Sequence, residues 1–344
     1  MRKLSRRQAI RLGLLGAIGV GLVQAYPNLG SLRLVPGMLR AQWLRLAGGR
    51  AAVAVVRCPT YEDATQAVAT AWDLVGGPPL AGKRVVLKPN LVDYLPDRPV
   101  HTAPEILEAA VEYLRGKGAA EVVVADGPCF NRDSEQLLAA SGLGEMLRRR
   151  DVPFVDLNYD DLDDVPLKGN YGGRLMRLLL PRTITRADLV VSVPKMKTHH
   201  WTGVSLSMKN LFGVVPGVKY GWPKNSLHWN GIAASILTLY DTIRPQLALV
   251  DGVVGLEGDG PVYGSPRPTG VVVLGADLVA VDATAARIMG VDPARVDHLK
   301  AAGFLGLGRL AEDQIAIRGV PVAEVVQPYL PPPQGLVLPT PGPT

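Results

Sequence analysis

The sequence predicts an α/β fold: a mostly parallel sheet flanked by helices, with a small antiparallel hairpin inserted, and a length that allows two lobes sharing a cleft. Three observations carry this. Short apolar runs alternate with segments of helical period, as βαβ units do. Helix starts are marked by capping residues and first-turn prolines. Lysines, aspartates and a histidine fall just past the apolar runs, at the strand ends where open α/β sheets bind ligands.

Taken in order, Ala51 to Val56 reads as a first strand and Tyr61 to Val75 as a helix. Arg84 to Leu87 is a second strand, Pro104 to Arg115 a helix, and Glu121 to Ala125 a third strand. Thr102-Ala103-Pro104-Glu105 supplies a cap, a first-turn proline and a glutamate able to reach back; Asp133-Ser134-Glu135-Gln136 opens the next helix similarly. Phe154 to Leu157 is a fourth strand, Asp160 to Asp164 an acidic turn, and Val165 to Leu180 a hairpin around Tyr171-Gly172-Gly173. Leu189 to Val193 has the uninterrupted apolar character of a strand buried on both faces. Leu227 to Ile243 then reads as one long helix, Leu247 to Val250 and Thr269 to Leu274 as strands, and Leu278 to Met289 as a helix. The segments are 1–25, an export signal; 26–50, a linker or surface-lying amphipathic helix; 51–326, the α/β domain; and 327–344, a proline-rich tail expected to be extended and mobile.

Paired arginines, Arg6-Arg7, precede a glycine-rich uncharged run from Leu12 to Val23, and Val23-Gln24-Ala25 fits a cleavage site. This resembles a twin-arginine signal, which implies the twin-arginine export machinery as a partner and a destination in the periplasm or on the outer face of the cytoplasmic membrane. An uncleaved anchor is the alternative. The chain carries a net charge of +6, of which Arg2, Lys3, Arg6, Arg7 and Arg11 supply most. The remainder is close to neutral and has no basic run interleaved with aromatics, so nucleic acid is not an expected partner.

From Ser192 to Gly213 the sequence reads as strand end, basic loop and helix. If the backbone stays extended past Pro194, then Lys195, Lys197 and His199 share one side. Val204, Met208, Leu211 and Phe212 follow at helical spacing, with Gly213 as the stop. Val193-Pro194-Lys195-Met196-Lys197-Thr198-His199, followed by Ser205 to Gly213, resembles the signature of the family called domain of unknown function 362, from about Val53 to Gly308. Some relatives in that family carry a ferredoxin-like segment. The two cysteines here, Cys58 and Cys129, cannot form a self-contained iron–sulfur module. They could pair in an oxidising compartment, or remain two buried thiols.

The candidate ligand-binding residues are Lys88 and Asn90 after the second strand, Asp126 after the third, Lys195, Lys209, Asn210 and His228. The candidate catalytic residues are Lys197, His199, Asp251 and Glu257. The resemblance points to the same strand ends, and favours Asp251 and Glu257 over Asp259. Clustered ammoniums beside an imidazole suit a phosphate or carboxylate. Crowded cations depress a neighbouring lysine, making it a base or a Schiff-base amine. Asp251 to Gly264 reads as a glycine-rich loop whose Asp251, Glu257 and Asp259 could hold Mg2+ or supply a base. No histidine pair has the helical spacing of a zinc site; His101 and His228 could approach from elsewhere, and His298 reads as surface. Asp282 reads as a residue favoured by its own helix N-terminus. The expected function is an enzyme acting on an anionic small molecule, or alternatively a non-catalytic cofactor-binding module with a redox protein partner. Alanine at Lys195 or Lys197 is expected to spare stability and abolish ligand-induced stabilisation.

Overall fold

The computed structural model describes residues 35–333 apart from 47–48, 96, 130–131, 170, 172–176, 222–224 and 230. The expected export signal, the tip of the predicted hairpin, Trp222 and the last residues of the tail lie outside the described residues.

The strands are β1 (Ala51–Arg57), β2 (Arg84–Lys88), β3 (Glu121–Asp126), β4 (Phe154–Asp156), β5 (Leu162–Pro166), β6 (Arg177–Pro181), β7 (Leu189–Ser192), β8 (Lys195–His199), β9 (Gly203–Ser205), β10 (Leu247–Glu257), β11 (Ser265–Gly275) and β12 (Ile315–Gly319). The main sheet runs β12-β1-β11-β10-β7-β2-β3-β4, and β8 and β9 extend it beyond β10. The pairs β10–β7, β7–β2, β2–β3 and β3–β4 are parallel, whereas β11 is antiparallel to both β1 and β10. The small antiparallel pair is β5–β6, whose strands start and end slightly outside the predicted hairpin and absorb part of the acidic turn.

One continuous sheet separates two apolar layers. Val53, Val86, Val123 and Val250 face one layer; Ala54, Val85, Leu87 and Leu249 face the other. This alternation follows from the two-residue period of a strand. It explains why the central strands read as unbroken apolar runs.

Three expected elements are organised differently. The long helix divides into Asn225–Trp229 and Ile232–Ile243 at Gly231, whose φ of 88° is unsuited to a helix. The basic loop is a strand, β8, pairing with β10 on one side and β9 on the other. The glycine-rich loop is an arm, β10 continuing through Glu257 and returning as β11.

The tail also departs from expectation at its start. The Gln327 and Tyr329 N–H groups donate to the carbonyls of Ile288 and Met289 at 2.7 and 2.9 Å, and Gly258 N–H donates to Leu330 at 2.9 Å. The helix Val35–Leu46 packs on the domain, where Gly306, at a φ of 64°, lets the Ala41 backbone approach more closely than a side chain would permit. Among the described residues, no helix is long and apolar enough to cross a membrane. Cys58, in the loop after β1, and Cys129, after β3, are not joined by a disulfide, and their strands are separated by four others.

Candidate functional site

Because β2, β3, β7 and β10 run parallel, their carboxyl ends open on one edge of the sheet. Lys88 ends β2 and Asp126 ends β3, and the two form a buried ion pair of 2.6 Å. The same ammonium donates to the Pro89 carbonyl at 2.8 Å and to Asn210 Oδ1 at 3.0 Å, so all three of its protons are used. Asn210 in turn donates to the Lys88 carbonyl and to Ser192 Oγ. Burial pushes the Lys88 ammonium below its usual range, and Asp126 opposes the shift. Gly213 closes over this pair: a Cβ there would collide with Lys88 Nζ and Asp126 Oδ1.

A second ion pair lies two strands away. Lys195 Nζ is 2.5 Å from Asp251 Oδ2 and donates to Tyr61 Oη at 2.8 Å. Asp251 also accepts the Ala103 N–H at 2.9 Å, and so caps the helix Pro104–Gly116. Thr102, the expected cap, instead accepts from Asn90 N–H at 2.8 Å and donates to Val193 at 2.6 Å, tying β2 to β7.

Lys197 stands between these pairs without a carboxylate of its own; its ammonium nitrogen donates to the Val100 carbonyl at 3.0 Å. Complete burial lowers its pKa well below the lysine value, and the charges of Lys195, Lys209 and Lys88 lower it further. His199, two residues on, is likewise held well below the usual imidazole value, first by burial and then by Lys209. Its Nδ1 accepts the Trp201 N–H at 3.1 Å, which leaves the proton of the neutral ring on Nε2. His101 faces the same lysines. Burial, then Lys197 and Lys195, hold it at about 4, and the Asn90 backbone is near its ring, yet neither ring nitrogen has a well-formed hydrogen bond. The Asn90 side-chain oxygen is also buried and unsatisfied.

The structure thus brings together Lys88, Asn90, Asp126, Lys195, Lys197, His199, Lys209, Asn210 and Asp251. His228 joins the rim through its ring, 5.5 Å from Phe212 and 5.2 Å from Trp201. Glu257 lies elsewhere, at the far end of the arm, where its carboxylate accepts Leu330 N–H at 2.9 Å and sits 3.9 Å from Arg267. It anchors the tail and is not placed to move a proton at the lysines. Asp251, Glu257 and Asp259 do not converge as a Mg2+ cradle, and among the described residues no three His, Cys, Asp or Glu side chains gather as metal ligands.

A family model described as Domain of unknown function (DUF362) matches residues 85–287, which contain every lysine and carboxylate of this edge. The chain belongs to the DUF362 family. It is 29% identical over 242 residues to a thylakoid-associated protein of Synechocystis sp., covering 67% of this chain and 71% of that protein. Among solved structures it is similar to the lactate racemase apoprotein of Thermoanaerobacterium thermosaccharolyticum, with a TM-score of 0.45 and 16% identity over 75% of this chain. It is also similar to a Thermotoga maritima protein, with a TM-score of 0.36 and 14% identity over 63% of this chain. The chain spans 57% and 56% of those two chains, respectively.

Four residues of this DUF362 site escape a reading of the sequence. Tyr61 lies at the start of a helix and gives no sign that its hydroxyl meets Lys195. Thr102 looks like a helix cap. Asp282 does not serve its own helix: its carboxylate accepts Ser207 N–H at 2.8 Å, the Ser207 hydroxyl at 2.5 Å and Met208 N–H at 2.9 Å, fixing the segment that carries Lys209 and Asn210. His298, read as surface, is 1% exposed. Burial first, then Lys209, pushes it down to about 3.

That value has a measurable consequence. With folded pKa values below the reference 6.5, the unfolded chain takes up the His298 and His101 protons first as the solution is acidified. The stability that these two neutral rings contribute is therefore full above about 6.5 and is lost as pH falls toward 4 and then 3. His298 alone contributes on the order of 3 kcal/mol to the loss between pH 7 and pH 4. His298→Leu should flatten the acid limb of melting temperature against pH; an unchanged limb would show that another group governs it.

Proposed function

We propose that this edge of the sheet binds a small anion bearing a phosphate or carboxylate, and that Lys197 acts on it as a neutral amine. The supporting observation is the imbalance of charge: Lys88 and Lys195 each have a carboxylate, and Lys197, wholly buried, has only a backbone carbonyl. Two neighbouring lysines in different surroundings make a division of labour. Lys195, tied to Asp251 and Tyr61, supplies positive charge to the anion. Lys197 offers a lone pair, either to take a proton beside the anionic group or to attack a carbonyl. His199 presents its Nε2–H as a donor, and Asp251 acts as the fixed counter-ion of Lys195.

The location proposed is beyond the cytoplasmic membrane or against its outer face. Support comes from the signal-like Arg6-Arg7 segment and from the thylakoid association that a relative's name records.

Melting of the full chain is measured with inorganic phosphate and, separately, oxalate. At about one hundred times the dissociation constant, a bound anion stabilises by roughly 2.7 kcal/mol. The expected result is stabilisation of the wild-type protein and none of Lys195→Met, which lacks the charge assigned to the anion. No response of the wild-type protein to either anion, or an equal response of the variant, overturns the proposal.

A further inference from the structure

The chain has five histidines. His101 faces Lys195 and Lys197, and the other four gather beyond Lys197 on the side of Lys209. The nest they form is aromatic. The Lys209 ammonium lies 4.0 Å from the centre of the Phe212 ring. Phe212 meets His228 edge-on at 74°, and His228 meets Trp201 at 70°. An edge-on contact takes at most one face of one of its two rings, whereas parallel stacking takes a face from each. His199 and His298 are nearly wholly buried and held as neutral rings, so the imidazoles add hydrogen-bonding capacity without charge.

Two buried nitrogens here lack partners among the described residues: the indole N–H of Trp201 and Nε2 of His298. Buried polar atoms are normally satisfied, and an orphan indole N–H requires an acceptor. A purely apolar ring would not supply one. A heterocycle with a ring nitrogen or carbonyl would, while its face lay against the aromatic walls. The nest adjoins the anion site directly, since His199 lies two residues from Lys197 on the same face of β8.

We infer that the ligand is a heteroaromatic monophosphate, with the phosphate at Lys195 and Lys197 and the ring in the nest of Trp201, Phe212, His228 and His298. This rests on the anion-binding reading above and names the class of molecule that site takes.

Binding of adenosine monophosphate, uridine monophosphate, ribose 5-phosphate and inorganic phosphate to the full chain separates the possibilities. At least one nucleotide should bind about tenfold more tightly than ribose 5-phosphate. Trp201→Phe, which keeps the ring and removes the N–H, should erase most of that gain and leave ribose 5-phosphate binding unchanged. Equal affinity for nucleotides and ribose 5-phosphate overturns the nest while the lysine site stands. Failure of all four to bind overturns both. A nucleotide advantage that survives Trp201→Phe places the ring elsewhere and overturns the assignment.

Discussion

The Lys197→Met variant is expected to melt higher than the wild-type protein, by roughly 5 °C, at neutral pH. Methionine fills a similar volume with no charge to strip of water. The Val100 carbonyl loses its donor, a cost of about 1 kcal/mol that offsets only part of the gain. The pH dependence fixes the sign. A lysine pKa lowered on folding means that below the reference 10.5 the unfolded chain holds the extra proton, so wild-type stability falls as pH falls. The advantage of methionine should therefore widen from pH 9 to pH 7. A variant that melts below the wild-type protein at both pH values would mean that Lys197 is a structural donor rather than a destabilising group kept for its chemistry. The expectation from sequence, that alanine at Lys195 or Lys197 leaves melting unchanged, does not fit side chains this buried. Alanine at Lys195 would strand Asp251 without its partner and leave a cavity.

Asp126→Ala should have the opposite effect. It leaves Lys88, 1% exposed, with no counter-charge, and such losses cost about 3–5 kcal/mol. For a domain of this size the melting temperature should drop by roughly 10 °C. The double variant Lys88→Met/Asp126→Leu should recover most of it, because the penalty lies in the widowed charge. If the double variant melts as low as the single one, the pair stabilises the sheet edge through geometry that apolar groups cannot replace.

The contrast between these two lysines shows what was legible in the sequence. The central strands are legible as apolar runs, and the strand-end rule alone puts Lys88, Asp126 and Asp251 on one edge. The alternation of Lys195, Lys197 and His199 was also visible. What hid β8 was its composition: alternate charged residues after a proline look like a solvated loop, and only tertiary burial makes them a strand. The arm of β10 and β11 was hidden by glycines, which are poor strand formers. Gly252 and Gly255 are there because Met196 and its carbonyl pass too close for side chains. Tyr61, Asp282 and His298 act across long sequence separations, and no local pattern encodes such meetings.

The strand order carries a consequence for how the chain is made. Val53 of β1 pairs with Gly275 on one side and with Ile317 on the other. During synthesis β1 therefore waits, both edges bare, until β11 and β12 have emerged, and closing such distant contacts is intrinsically slow. A nascent chain in that interval is an inviting template for aggregation.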